Sequence, residues 1–199
     1  YFTEKKDSTV GLDVDSDSPS PGYWDGINIL EEGSAVFDNV TLRYAGYVFD
    51  SDDPKEGVKI NSSSDITIEN SNIENNQGDG VWVKKAGMLN IINSNIENNG
   101  NDGVKLTKDI AEKEIKNNDF ANNSGYGLRL SVNLSFIDLN NKFDNNGYGP
   151  IGAASGYSSN EDINKDVTWE ISPEHHITIG NINIKSGATL TIKPGTIIK

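Results

Sequence analysis

The sequence predicts an all-β chain, a right-handed parallel β-helix: a solenoid with about 23 residues per coil. Three observations predict it. Apolar residues recur at a near-constant interval: Ile27, Val58, Val81, Val104, Leu128 and Ile151 are separated by 31, 23, 23, 24 and 23 residues. Each has an apolar or small mate two residues on (Ile29, Ile60, Val83, Leu106, Leu130, Ala153), with one intervening residue as in Val81-Trp82-Val83. That is strand alternation, one side in and one side out. Finally, the hexamer SNIENN stands at 71–76 and again at 94–99. Short strands at a fixed period of about 20–50 residues mark a solenoid.

Taken in order, each coil offers further apolar series. One is Leu42, Ile73, Ile96, Phe120 and Phe143, and another is Phe37, Ile68, Ile91 and Ile115, weakening at Asp138. A fainter series, Ala35, Ile66 and Leu89, is broken by Lys113 and Phe136, so the later coils should be less regular. Stacked about 4.8 Å apart, the series form one continuous core that no single coil could bury alone. The handedness of parallel crossovers favours a right-handed coil. From Leu42 to Val58 the spacing is sixteen residues where later coils have eight, so 44–57 carries an insertion that should project as a loop.

Residues 1–155 are therefore expected to form the coils, 156–166 a linker, and 167–199 the truncated start of a further β-helix segment. Strand edges left unpaired at the ends would invite end-to-end self-association.

Of the 26 asparagines, eight fall in register in two sets. Asn75, Asn98, Asn122 and Asn145 form one set, and Asn76, Asn99, Asn123 and Asn146 the next. Asn tolerates the left-handed conformation of a tight corner, and stacked carboxamides hydrogen-bond along a ladder. The Asn repeat reads as architecture, with a sugar- or ice-binding array as the alternative.

These residues resemble the right-handed parallel β-helix repeat proteins, the pectate-lyase-like solenoids and bacterial surface repeats. YFTEKKDSTVG (1–11), GYWDGINI (22–29) and AVFDNVTLRYAG (35–46) are similar to their first coils, and ITIGNINIKSGATLTIKPGTIIK (177–199) is similar to the segment that usually precedes them. The resemblance implies the fold and an extracellular, secreted or cell-surface setting. It implies no single function, because this solenoid carries lyases, hydrolases, adhesins and spacers alike.

Composition narrows the partners. A net charge of −13 argues against nucleic acid and anionic membranes. No apolar run approaches the ~20 residues of a membrane span. Without Cys there is neither a disulfide nor a thiolate nucleophile.

One face concentrates candidate chemistry. Lys59, Trp82, Lys105 and Arg129 share an outward register after Asn28, with Lys84 two residues beyond Trp82. Asp25, Glu56, Asp79 and Asp102 stack just before the corner glycines. A Trp on a rigid sheet flanked by charges suits a sugar ring. This predicts a non-catalytic module that binds polysaccharide or a cell-surface glycan through Trp82, Lys59, Lys84, Lys105, Arg129, Asp79 and Asp102. A fragment of a polysaccharide lyase or glycoside hydrolase is the alternative, with Asp79 and Asp102 as the carboxyl pair. A passive spacer is the second alternative, and a solvated face of compensating charges is the plainest reading of the same residues.

Asp13, Asp15 and Asp17 alternate as at the start of a Ca²⁺ loop, but Ser18 replaces the required Gly and Trp24 the Glu. That leaves a looser Ca²⁺ site, joined by Asp7, or a solvated acidic loop. His175 and His176 are adjacent, have no metal-ligand spacing and read as structural.

Overall fold

The computed structural model describes residues 1–10, 18–46, 56–107, 110–153 and 161–199. All its regular elements are strands, and every paired strand is parallel to its neighbour. The first sheet stacks Ile27–Glu31, Val58–Ser62, Val81–Ile92, Val104–Leu106, Tyr126–Leu130, Gly149–Ala153 and Ile177–Ile179. Its register aligns Ile27, Val58, Val81, Val104, Leu128, Ile151 and Ile177 in one column. From Val58 to Ile151 every member of this column is fully buried. The third face stacks Thr41–Arg43, Asn72–Glu74, Asn95–Glu97, Asp119–Ala121 and Lys142–Asp144, with Leu42, Ile73, Ile96 and Phe120 buried. Between these two, Ala35–Asp38, Ile66–Glu69, the end of Val81–Ile92 and Ile110–Lys116 align Phe37, Ile68, Ile91 and Ile115.

Each position of the repeated hexamer has its own task. Ile73 and Ile96 fill the core. Asn75 and Asn98 sit at φ 56°, with Asn122 at 55° and Asn145 at 52°, the left-handed corner Asn tolerates. Asn76, Asn99 and Asn123 are buried and form the ladder proper. The Asn76 side chain donates to Asn99 Oδ1 at 2.9 Å, Asn99 to Asn123 Oδ1 at 3.0 Å, and Asn123 to Asn146 Oδ1 at 3.0 Å. The ladder amides also close backbone carbonyls: Asn99 Nδ2 donates to Ile73 and Asn123 Nδ2 to Ile96. The initial Ser belongs to a second buried ladder, in which Ser71 N–H donates to Ser94 Oγ, Ser94 N–H to Asn118 Oδ1 and Asn118 N–H to Asn141 Oδ1.

Of the residues expected to form a linker and a further segment, Val167–Glu170 and Ile177–Ile179 pair with strands of the coils before them, whereas Glu161–Ile163 and Ile182–Ile184 form a two-stranded sheet of their own. Within 156–166 lies the strand Glu161–Ile163, which pairs with Ile182–Ile184. Val167–Glu170 pairs with Phe136–Ile137 and with Leu190–Ile192, so the fully buried Trp169 stacks on Phe136 in one core column. The apolar column of Phe136 thus continues through Trp169 to Ile192. Asp138, where the third series weakens, turns its buried carboxylate to His175 Nδ1 at 2.9 Å. Residues 47–55, most of the predicted loop, lie outside the described residues.

Candidate glycan-binding face

Parallel register sets Asn28, Lys59, Trp82, Lys105 and Arg129 side by side on the outside of the first sheet. Sequence alternation places them there because their flanking residues, Val81 and Val83 in the Trp82 coil, fill the core. The Trp82 ring gathers three ammonium groups: Lys84 at 4.0 Å from its centroid, Lys105 at 4.7 Å and Lys59 at 5.2 Å. Arg129 lies over Tyr126 at 5.4 Å. Each contact lies within the reach of a cation–π attraction. Trp82 is half-buried, and its indole N–H is buried without a hydrogen-bond acceptor in the protein. The exposed stacking platform expected from the sequence is in fact a ring screened by lysines.

The carboxylate stripe is also displaced from expectation. Asp25 is exposed, but Glu56, Asp79 and Asp102 are buried, the last two at 1% and 0% exposure. Asp79 Oδ1 accepts the Asp102 N–H at 3.0 Å, and Asp102 Oδ1 accepts the Tyr126 N–H at 2.8 Å. Each thus ties its corner to the next coil. Their second oxygens face the cations: Asp79 Oδ2 is 3.8 Å from Lys105 Nζ, and Asp102 Oδ2 is 2.9 Å from Arg129 Nε. The Arg129 contact is ionic and poorly aligned, since neither atom completes a hydrogen bond. Burial raises the Asp79 carboxyl to about 6, and the charge of Asp102 pushes the same way, against the pull of Lys105 and Arg129. Burial likewise raises Asp102, with Arg129 opposing it. A glycosidase pair must reach the glycosidic oxygen and the ring carbon. Sealed behind the sheet, Asp79 and Asp102 do not. They anchor Lys105 and Arg129 from below.

Asp13, Asp15 and Asp17 lie outside the described residues. Among the described residues, no cluster of three or more His, Asp or Glu could hold a metal ion.

The family described as the right-handed beta helix region matches residues 25–192 of this sequence. The chain belongs to this family. Comparison with curated proteins and with solved structures gave no match. Membership in the right-handed β-helix family fixes the fold and leaves the chemistry to the individual face. In this β-helix, the buried polar groups that were not anticipated include, among the described residues, the Ser71–Asn141 ladder, the Asp79/Asp102 pair and the Asp138–His175 pair. Parity carried a signal for two of them. Ser71 stands two residues before buried Ile73, and Asp79 two before buried Val81, so alternation already turned both inward. Nothing local in the sequence links Asp138 to His175.

Proposed function

We propose that this chain is a non-catalytic extracellular module that binds an acidic polysaccharide along its first sheet. One observation carries the proposal. Four successive coils each present one cation on the same face: Lys59, Lys84, Lys105 and Arg129. Coil stacking sets their spacing at about 4.8 Å, so a linear polyanion laid along the solenoid axis meets a positive group at each of these four coils. The protein as a whole carries −13 and repels such a polymer, so attraction depends on this patch. Trp82 acts by holding its lysines over its ring and by offering its edge to the sugar. Adhesion to a glycan-coated surface is the biological role that fits.

The test is affinity electrophoresis and calorimetry with polygalacturonate, alginate and neutral dextran. Binding to the two polyanions is expected at a Kd of about 10⁻⁴–10⁻³ M, falling steeply with salt as exposed charges are screened. Trp82→Ala and the Lys84→Ala/Lys105→Ala pair should each weaken binding by about ten-fold, or about 1.4 kcal/mol. Equal retention by dextran, or polyanion binding unchanged in both variants, would leave a passive spacer as the better account.

A further inference from the structure

A second site lies away from the cationic face, where Lys113 occupies a place built for an apolar side chain. Register aligns it with Ala35, Ile66 and Leu89 in a column of which Ile66 and Leu89 are fully buried. In the following coil Leu139 bridges Lys116. That pairing brings Phe136 level with Lys113, and the column continues into buried Trp169. A pocket of about 430 Å³ opens here, lined by Lys113 with Ile115, Ser135, Phe136, Ile137 and Leu139. Its volume falls within the ~300–1,000 Å³ of small-molecule sites.

The Lys113 ammonium has no carboxylate partner among the described residues. Nearby acids are otherwise engaged or turned away. Glu114 pairs with Lys116 at 2.7 Å, Asp138 with His175 at 2.9 Å, and Glu112, which also lines the pocket, is exposed and makes no ion pair with Lys113. Burial lowers Lys113 to about 8, and the positive charge of Lys165 pushes it the same way. A half-buried cation with apolar walls on several sides and a second cation nearby leaves one complement unmet, a negative charge attached to an apolar body.

From this geometry we infer that the Lys113 pocket binds a small organic carboxylate, with its anionic head on the Lys113 ammonium and its apolar body against Phe136, Ile137 and Leu139. A strongly hydrated inorganic anion would satisfy the charge and leave the apolar wall without a partner. An alcohol of the same length would do the reverse.

The probes are hexanoate, hexanol and inorganic phosphate, titrated into the intact chain with ¹³C-labelled lysine side chains. Hexanoate is expected to shift the Lys113 resonance with a Kd of about 1 mM, and hexanol and phosphate to bind about ten-fold more weakly. Lys113→Met restores an apolar residue to the column and should fold while losing about ten-fold in hexanoate affinity. Hexanol or phosphate binding as tightly as hexanoate, an unmoved Lys113 resonance, or unchanged affinity in Lys113→Met would each overturn the inference. The wild-type titrations decide by themselves if the variant fails to fold. They also stand apart from the polysaccharide face, since they read Lys113 alone.

Discussion

At the level of single residues, the two members of each Asn-Asn pair do different work, and substitutions should separate them. Asn98 holds a corner at φ 56° with an exposed side chain, so Asn98→Gly keeps the conformation and should change stability by no more than about 1 kcal/mol. Asn99 is buried and bonds on both sides. Asn99→Ala strands the Asn76 N–H, the Asn76 amide and the Ile73 carbonyl. At about 1–3 kcal/mol per orphaned group, the loss should reach about 3 kcal/mol or more by denaturant titration. Asp79 makes a pH-dependent case. Its carboxyl is raised from 3.8 to about 6 in the folded chain. The folded state therefore holds the proton more tightly, and this stability is fully present below pH 3.8 and lost as pH rises through about 6. Asp79→Asn keeps an acceptor for the Asp102 N–H without the charge. Its stability relative to wild type should rise by about 2–3 kcal/mol between pH 4 and pH 8. Parallel stability curves for the two proteins would exclude that titration.

Elements impose a second kind of constraint, because like residues of successive coils touch. Gly57, Gly80, Gly103 and Gly127 stack at the corner that leads into the first sheet. A Cβ on Gly80 would lie 2.7 Å from the Gly103 carbonyl oxygen and 2.8 Å from Asn99 Nδ2. The requirement is close approach of two backbones, not a left-handed φ. Gly80→Ala should therefore separate two coils and break the Asn99 bonds, costing about 3 kcal/mol or more as overpacking adds to lost hydrogen bonds. A melting temperature within a degree or two of wild type would show that the corner relaxes. Strand columns and this corner were legible in the sequence because a period of two inside a strand and about 23 between strands repeat over five coils. The candidate face was legible only in part. Lys59, Trp82, Lys105 and Arg129 align as alternation requires, but the cost of burying a charge argues for carboxylates on the outside even where alternation turns them inward. Hence Asp79 and Asp102 were expected on the surface and lie beneath it, and three lysines that read as neighbours of an open indole cover it instead.

The whole molecule is quasi-one-dimensional: each coil contacts only those above and below it, so stability is close to a sum of coil and interface contributions. Local damage should then stay local. In the central coils, the Val58 and Val81 amides donate to the carbonyls of Gly80 and Gly103, and the columns around them are fully buried. Strands such as Ile182–Ile184 and Leu190–Ile192 expose large apolar side chains, Ile184 at 53% and Ile192 at 47%. Native-state hydrogen exchange should accordingly show highest protection between Val58 and Leu130 and lower protection from Ile182 onward, as opening free energies follow local burial. Asn99→Ala tests how far the coils act as one unit. In a nearest-neighbour solenoid it lowers protection in the coils holding Ile73, Ile96 and Phe120, whose carbonyls and amides the ladder ties, and spares the Phe136–Trp169 column. The denaturant slope should fall as well, since part of the surface is exposed before the main transition. A uniform drop in protection from Val58 to Ile179, with an unchanged slope, would mean that the continuous core couples all the coils and that the solenoid unfolds as a single domain.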